Sequence, residues 1–517
     1  MISSLSAAWT RLIGALGRLS MYRLVLLALS ALAVIAVVLS FTGAVSVSAL
    51  ELAVSFAVLA ASILVVDAVA QRIVRRPWRI ESALITALIL VFVLRPGIEP
   101  MALLGLALAG AIASASKYLL AWQGRHIFNP AAVGASALTI ISIWAPDLGF
   151  SAWWIGSPAM AVPVVLLGLA VLIRTEKVRV VGLFLVVAVA VGLVRTVVQA
   201  QAAGFALDPG MTLSSLLLSS PFLFLGAFML SEPLTLPPRR WQQFTVAAVV
   251  GVLAGWPLAV GDITLGQERA LLIGNLIAFV FALRTAVRLT IVERTAVTPS
   301  VREYSFRAER PVRFTPGQYL ELEVPHARPD SRGTRREFSI LSSPAELPLV
   351  RIAMREGSQS SYKKAIATVK PGDELAITGI WGDFVLPRKT DAPVLMVAAG
   401  IGVTPFVSHL RHLRMTQERR DVVFVYVASA SEELAFRDDL EAAGIPVIVV
   451  TRDEPTDLPE GWTWGGGNRL DAESLLRHVP DIHRRHAFVS GPPALIATLT
   501  PALNRAKSIT TDAFSGY

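Results

Sequence analysis

The sequence predicts a polytopic α-helical membrane domain of about ten spans, then a small β-barrel, then an α/β nucleotide-binding domain. Its composition is split: 54% of the 517 residues are hydrophobic and 16% charged, yet the C-terminal part carries charge at a soluble-domain density. Apolar stretches near the roughly 20 residues that cross a bilayer core recur up to about residue 288. Beyond them the pattern turns to short alternating strands, and from Ala392 to strands alternating with helices. The expected boundaries are an interfacial segment at 1–21, a transmembrane domain at 22–288, a barrel at 289–388 and an α/β domain at 389–517. Cysteine is absent, which excludes a disulfide, a catalytic thiol and a cysteine-ligated iron–sulfur cluster in this chain. Any electron carrier here is then organic, or haem held by His or Met, and no other resident metal is expected. The net charge of +9 does not imply nucleic acid, because much of it flanks apolar spans.

Residues 1–20, with Trp9, Leu12, Ile13, Leu16 and Leu19 beside Arg11 and Arg18, suit a short interfacial helix. A secretory signal is not expected, since a full-length span and several more follow. The candidate spans are 22–42, 48–71, 80–95, 100–121, 129–144, 158–173, 180–199, 213–231, 242–260 and 270–288, of which 80–95 and 129–144 are short enough to suit a tilted, re-entrant or discontinuous segment. Arg11, Arg18 and Arg23 precede the first, and Arg72, Arg75, Arg76 and Arg79 follow the second. Lys117 with Arg125, Arg174 with Lys177 and Arg179, Arg239 with Arg240, and Arg284 with Arg288 mark alternate later gaps; Arg95 and Arg269 are exceptions. An even count and the bias of Lys and Arg toward one side place both termini in the cytoplasm of a multi-pass cell-membrane protein. Asp67 and Arg195 lie inside spans, where ionisable groups need a partner or a function.

Two loops stand out. Gly124-Arg125-His126-Ile127-Phe128-Asn129-Pro130-Ala131-Ala132 opens a short apolar segment, and Phe228-Met229-Leu230-Ser231-Glu232-Pro233-Leu234-Thr235 closes another. They are either plain helix caps or broken helices framing a ligand at membrane depth. With the span count, these runs resemble the homologous membrane-embedded subunits of the sodium-translocating NADH:quinone reductase and of the Rnf complex. The resemblance covers most of 20–290. It implies a flavin in the membrane, often FMN joined through phosphate to a threonine of an outer Ser-Gly-Ala-Thr motif. The matching place is Asp208-Pro209-Gly210-Met211-Thr212-Leu213, which keeps Gly210 and Thr212 but has Pro209 and Met211 for the serine and alanine. Thr212 serves equally as a helix cap.

In the soluble half, Arg336-Glu337-Phe338-Ser339 sets an arginine, an aromatic and a hydroxyl at a spacing that suits a flavin nucleotide. On a strand Arg336 and Phe338 share a face. The guanidinium can grip a diphosphate, the ring can lie on an isoalloxazine, and Ser339 can reach a ring nitrogen. Alone, the run fits an ordinary strand edge equally well. Pro316-Gly317-Gln318-Tyr319-Leu320 turns into a strand ahead of it, and Gly357-Ser358-Gln359-Ser360-Ser361-Tyr362 offers amides and hydroxyls to a phosphate at a helix start. Gly382-Asp383-Phe384 is a closing turn. Val394–Ala398 then reads as a buried strand, and Ala399-Gly400-Ile401-Gly402-Val403-Thr404-Pro405-Phe406 as its turn into a helix that favours a dinucleotide diphosphate. Ser490-Gly491-Pro492-Pro493 follows a further strand.

In this order the pieces resemble the ferredoxin–NADP reductase superfamily over about 290–517. The resemblance implies FAD on Arg336, Phe338, Ser339, Tyr319, Gly357, Ser360 and Ser361. It implies NADH or NADPH on Gly400, Gly402, Thr404, Pro405, Gly491 and Pro492, with Ser339, Ser490 and Tyr517 at the reacting centre. Ser490 stands where most relatives have cysteine, and Tyr517 belongs to an aromatic ending that shields the flavin or nicotinamide. Arg437 and Arg452 are candidates for a 2′-phosphate, or plain surface charges. The expected function is passage of electrons from cytoplasmic NAD(P)H through FAD to FMN near Thr212, and on to a quinone or an extracytoplasmic redox protein, in contact with membrane lipid. The alternatives are a redox-driven Na⁺ or H⁺ transporter and a reductase merely anchored in the membrane. A bis-histidine haem enzyme is disfavoured, because the membrane half holds one histidine, His126.

Overall fold

The structure is a computed structural model. It describes residues 21–74, 80–122, 125–237, 239–261, 263–281, 287–327, 329–330, 333–357, 360–467 and 469–513. The expected interfacial helix before Met21, the arginines at 75, 76, 79 and 284, Ser358, Gln359 and Tyr517 lie outside those residues. Contacts divide the chain into two compact units, one spanning Leu19–Leu283 and one holding Arg284–Tyr517.

In the first unit a helix or a broken helix stands at each of the ten apolar stretches. They are α1 (Met21–Ser40), α2 (Ala49–Ile73), α3 (Ile80–Val93), α4 (Pro100–Leu119), α5 (Pro130–Ile141), α6 (Pro158–Thr175), α7 (Val178–Ala203), α8 (Pro209–Leu218) with α9 (Phe222–Leu230), α10 (Arg240–Gly255) and α11 (Gln267–Phe281). Among the described residues, α1, α2, α4, α6 and α7 are long and apolar enough to cross a membrane. The count is six if α8 and α9, bent by 42°, form one span. The other segments are shorter because prolines and polar residues break them: Pro130 starts α5, and Ser219 with Pro221 separates α8 from α9. Small residues let the helices meet backbone to backbone. A Cβ on Gly255 of α10 would lie 2.6 Å from the Ala188 carbonyl oxygen of α7.

Asp67 is buried on α2 and finds its partners on α4. Ser114 Oγ donates to it at 2.7 Å, Tyr118 Oη at 3.2 Å, and the Lys117 ammonium stands 3.7 Å away. Lys117 is therefore not a loop cation marking a gap. It occupies the last turn of α4, only 9% exposed, where a carboxylate at the same depth offsets its desolvation. Arg288 likewise does not close the last helix; it lies in the first strand of the next unit, 3.5 Å from Glu374.

The second unit has two sheets. The first is antiparallel: β1 (Val287–Ala296), β2 (Val301–Ala308), β3 (Tyr319–Glu323), β4 (Arg335–Ser339), β5 (Leu349–Arg355) and β6 (Glu374–Trp381), in the order β4-β3-β6-β1-β2-β5. Its inward residues, among them Leu289, Ile291, Phe306, Leu320, Leu322 and Ile352, bury one face. The two edges, β4 and β5, approach each other at one end, where the Leu341 N–H just past β4 donates to the Arg351 carbonyl of β5 at 2.8 Å. A short helix, α12 (Ser361–Ala367), lies between β5 and β6.

The second sheet is wholly parallel, with order β10-β9-β8-β7-β11-β12. Its members are β7 (Val394–Ala399), β8 (Val422–Val427), β9 (Val447–Val450), β10 (Trp462–Trp464), β11 (His486–Gly491) and β12 (Ser508–Ala513). Helices α13 (Thr404–Thr416), α14 (Arg437–Ala442), α15 (Ala472–His478) and α16 (Pro493–Leu503) connect them. Its central strands are nearly all apolar, as burial on both faces requires.

The two sheets join along α13. Ser408 Oγ donates to the Ser342 carbonyl at 2.8 Å, and buried His409 Nε2 donates to the Phe384 carbonyl at 3.0 Å. Arg411 forks onto Asp439 at 2.8 and 2.7 Å and comes within 4.0 Å of Glu303 and Glu346. Burial lowers the His409 pKa to about 4. The folded protein therefore refuses a proton that the unfolded chain accepts near pH 6.5, so His409 costs stability as pH falls from 6.5 toward 4, about 2 kcal/mol by pH 5. Gln keeps an amide donor without titrating, so the His409→Gln chain is expected to lose less stability than wild type between pH 7 and pH 5 in parallel thermal melts.

Candidate functional site

The flavin motif occupies β4. Pairing with β3 sets Tyr319 opposite Ser339, Leu320 opposite Phe338 and Leu322 opposite Arg336. On its other side β3 pairs with β6, which sets Tyr319 opposite Trp381, their rings 6.1 Å apart. Gln318 ties the Pro316 turn to the Gly382 turn through its Nε2, which donates to the Gly382 carbonyl at 3.0 Å. Tyr319, Ser339 and Trp381 thus converge at one end of the sheet.

Arg336 and Phe338 share a face, and both meet Tyr362. The guanidinium carbon lies 5.0 Å from the Tyr362 ring centroid and the Phe338 ring centroid 5.8 Å from it. Tyr362 is buried with its hydroxyl on the Leu322 carbonyl at 3.1 Å; burial holds its phenol well above the usual pKa, against the opposing pull of Arg336. Arg336 Nη2 is engaged by Asp330, at 2.6 Å to Oδ1 and 2.7 Å to Oδ2, while Nη1 donates to the Gly333 and Arg335 carbonyls. Gly357 takes φ +88° ahead of α12, and Ser360 stands at the N-cap position of that helix with its Oγ turned to Asp330 Oδ2, 3.3 Å away, rather than to the helix backbone. Ser361 Oγ accepts the Asp330 N–H at 2.9 Å and lies 3.1 Å from His326 Nε2. The donors expected for a flavin diphosphate are therefore gathered in one place. Asp330, Tyr362, His326 and Trp381 belong to the same constellation.

The nucleotide loops flank the point where the parallel sheet changes direction, between β7 and β11, where doubly wound sheets bind their ligands. After β7, Gly400 adopts φ +53° and the turn Gly400–Val403 leads into α13. Thr404 Oγ1 caps that turn on the Ile401 carbonyl at 3.0 Å, and Pro405 is buried behind it. A Cβ on Gly402 would lie 2.4 Å from the Ser490 carbonyl oxygen, and one on Gly491 would lie 3.0 Å from Ala399 Cβ. The two loops touch through backbone alone. Ser490 is fully buried, and among the described residues its hydroxyl has no hydrogen-bond partner. A glycine cradle with a buried unspent hydroxyl fits a nicotinamide nucleotide. Tyr426 Oη, 3.3 Å from the Gly400 carbonyl, braces the cradle from β8. Arg437 is engaged by Asp457 at 3.0 Å, whereas Arg452 is exposed after β9.

In the helical unit the two loops singled out by sequence meet at Glu232. His126 Nε2 lies 3.0 Å from Glu232 Oε1, and Asn129 Nδ2 donates to Oε2 at 2.9 Å. Asn129 caps α5 through Oδ1, while its own N–H donates to Asn275 Oδ1 of α11 at 2.9 Å. Thr212 lies in the first turns of α8, where its hydroxyl donates to the Asp208 carbonyl at 2.8 Å. Asp208 and Ser214 also bond to the backbone of that helix.

Sequence could have pointed to Asp330, a turn carboxylate six residues before the arginine. It could not have pointed to Trp381, which arrives through strand pairing, nor to the contact of the Tyr362 ring with Arg336 and Phe338, which depends on how α12 packs on the sheet. Replacing Gly402 by alanine would push a methyl group into the Ser490 carbonyl. The expected result is at least a roughly tenfold weaker Kd for NADH and NADPH with flavin content unchanged, read by equilibrium titration.

A family profile described as an oxidoreductase NAD-binding domain matches residues 396–500. The reductase component of propane 2-monooxygenase from Mycolicibacterium smegmatis is 25% identical over 213 residues, 39% of this chain, and this chain spans 59% of its length. Ferredoxin–NADP reductase B from Sorangium cellulosum is 30% identical over 200 residues, 38% of this chain and 79% of that protein. A solved ferredoxin NADP⁺ reductase from Neisseria gonorrhoeae with bound FAD and NADP is 18% identical, with a TM-score of 0.37 over 45% of this chain and 99% of that one. Through its C-terminal half the chain belongs to the ferredoxin–NADP reductase family of NAD(P)H-dependent flavin oxidoreductases.

Proposed function

We propose that the protein is a membrane-bound flavin oxidoreductase that takes electrons from cytoplasmic NADH or NADPH into the membrane. The observation that carries this reading is the union, in one chain, of a ferredoxin–NADP reductase half with helices apolar and long enough to cross a bilayer. Gly400, Gly402, Thr404 and Pro405 seat the nucleotide diphosphate, Gly491 and Pro492 line the nicotinamide side, and the Ser490 hydroxyl orients the nicotinamide. Arg336, Ser360 and Ser361 hold the FAD diphosphate. Tyr319 and Phe338 flank the ring system, and Ser339 donates to a ring nitrogen. FAD, when bound, supplies the conversion of a hydride into single electrons. Tyr517 belongs to this reading as the aromatic that excludes water from the reacting centre.

An FMN attached at Thr212 of the helical half would accept single electrons there, with a quinone or an extracytoplasmic redox protein as the final acceptor. The alternation of Lys and Arg between spans supports a cytoplasmic reductase half. A second reading, redox-driven movement of Na⁺ or H⁺, draws on Asp67, whose burial beside Lys117 is costly unless paired or used.

Flavin analysis of the denatured full chain tests the path. Expected are one FAD released per chain and flavin fluorescence retained on the gel band, lost in Thr212→Ala. Release of all flavin as a single FAD, with Thr212→Ala unchanged, would remove the membrane FMN. NADH-driven turnover in sealed vesicles with neither Na⁺ nor H⁺ moved would end the transport reading.

A further inference from the structure

We infer that Asp330 is an internal competitor for the flavin diphosphate, and that it sets how readily this chain loads and releases FAD. The inference rests on the reading of Arg336 as the diphosphate-binding arginine. One residue engages three of the groups that reading assigns to the flavin. Both of its carboxylate oxygens accept from Arg336 Nη2, at 2.6 and 2.7 Å, its Oδ2 accepts Ser360 Oγ at 3.3 Å, and its backbone N–H donates to Ser361 Oγ at 2.9 Å. The Arg336 side chain is only 9% exposed, so this is a sheltered charge pair rather than a loose surface contact.

The chemistry is that of anion exchange. A carboxylate and a diphosphate are both anionic acceptors for the same guanidinium N–H groups, and Asp330 already occupies Nη2 with both of its oxygens. The rest of the group offers a second anion little, because its plane lies over the Tyr362 ring and its Nη1 is committed to the Gly333 and Arg335 carbonyls. Two anions at this distance repel, so the flavin diphosphate enters only as Asp330 leaves. That departure releases Nη2 and the Ser360 hydroxyl from Asp330 together. Loading is therefore a swap, in which a charged pair already formed inside the protein is exchanged for the pair with the cofactor. The net affinity is the difference between the two.

The test measures binding, not turnover. The full chain in detergent is stripped of flavin, and FAD is titrated against wild type, Asp330→Asn and Arg336→Ala by flavin fluorescence. Asn keeps the size and removes the charge. The expected Kd for FAD falls at least roughly tenfold in Asp330→Asn and rises in Arg336→Ala, and inorganic pyrophosphate competes with FAD more effectively in Asp330→Asn. An unchanged or weaker FAD affinity in Asp330→Asn, with Arg336→Ala still impaired, overturns the proposal and leaves the flavin site intact. An unchanged affinity in Arg336→Ala overturns both. Should Asp330→Asn not survive purification, Asp330→Ser is read in the same way.

Discussion

The reductase half depends on a contact that has no room for a side chain. Gly317 takes φ +84°, and a Cβ there would lie 2.0 Å from the Phe384 carbonyl oxygen and 2.4 Å from His409 Nε2. Backbone from the flavin-side sheet is thus pressed against a buried imidazole of the nucleotide-side helix. Such a contact gives little when either domain moves, which suits a reaction whose partners must meet within about an ångström of their productive geometry. Arg411, with Asp439 and the flavin-side Glu303 and Glu346, reinforces the same seam by charge. Removing Arg411 would take from Asp439 its bidentate partner, while Glu303 and Glu346 would keep Arg351 at 3.6 and 3.4 Å.

Much of the reductase half is legible in sequence. Val394–Ala398 and Val447–Val450 read as buried strands because they are uninterrupted apolar runs. Gly400 and Gly402 read as a nucleotide turn because only glycine suits both a left-handed φ and a contact with another backbone. The Arg336 motif predicts the shared face with Phe338 but not the occupant of the fork. That occupant comes from the conformation of a loop, which no periodicity encodes. Trp381 reaches the site through a strand pairing 62 residues from Tyr319, and Tyr362 through a ring contact 26 residues from Arg336, distances over which local pattern carries no information.

In the helical half, sequence places the segments well and their ends less well. Hydropathy locates the apolar stretches and already marks 80–95 and 129–144 as short for a span, the places of the 14 residues of α3 and the 12 of α5. Lys117, by contrast, misleads. A cation near the end of an apolar run reads as topology, and its partner Asp67 lies fifty positions upstream, on another helix. The loops at His126 and Glu232 stand out by composition, and their meeting explains why both carry polar residues. Each supplies what the other's backbone or side chain lacks.

Asn275 has a consequence for how the bundle is held in the vertical sense. Next to it, a Cβ on Gly274 would lie 2.4 Å from Val250 Cγ2, so α10 and α11 meet through smooth, small surfaces along which a helix could slide. The Asn275 amide oxygen accepts the Asn129 N–H. A slip of one turn moves it about 5.4 Å and leaves a polar group unpaired in an apolar interior, a cost of several kcal/mol. The chain thus leaves its helical half from a helix whose height is indexed by a hydrogen bond rather than by packing alone.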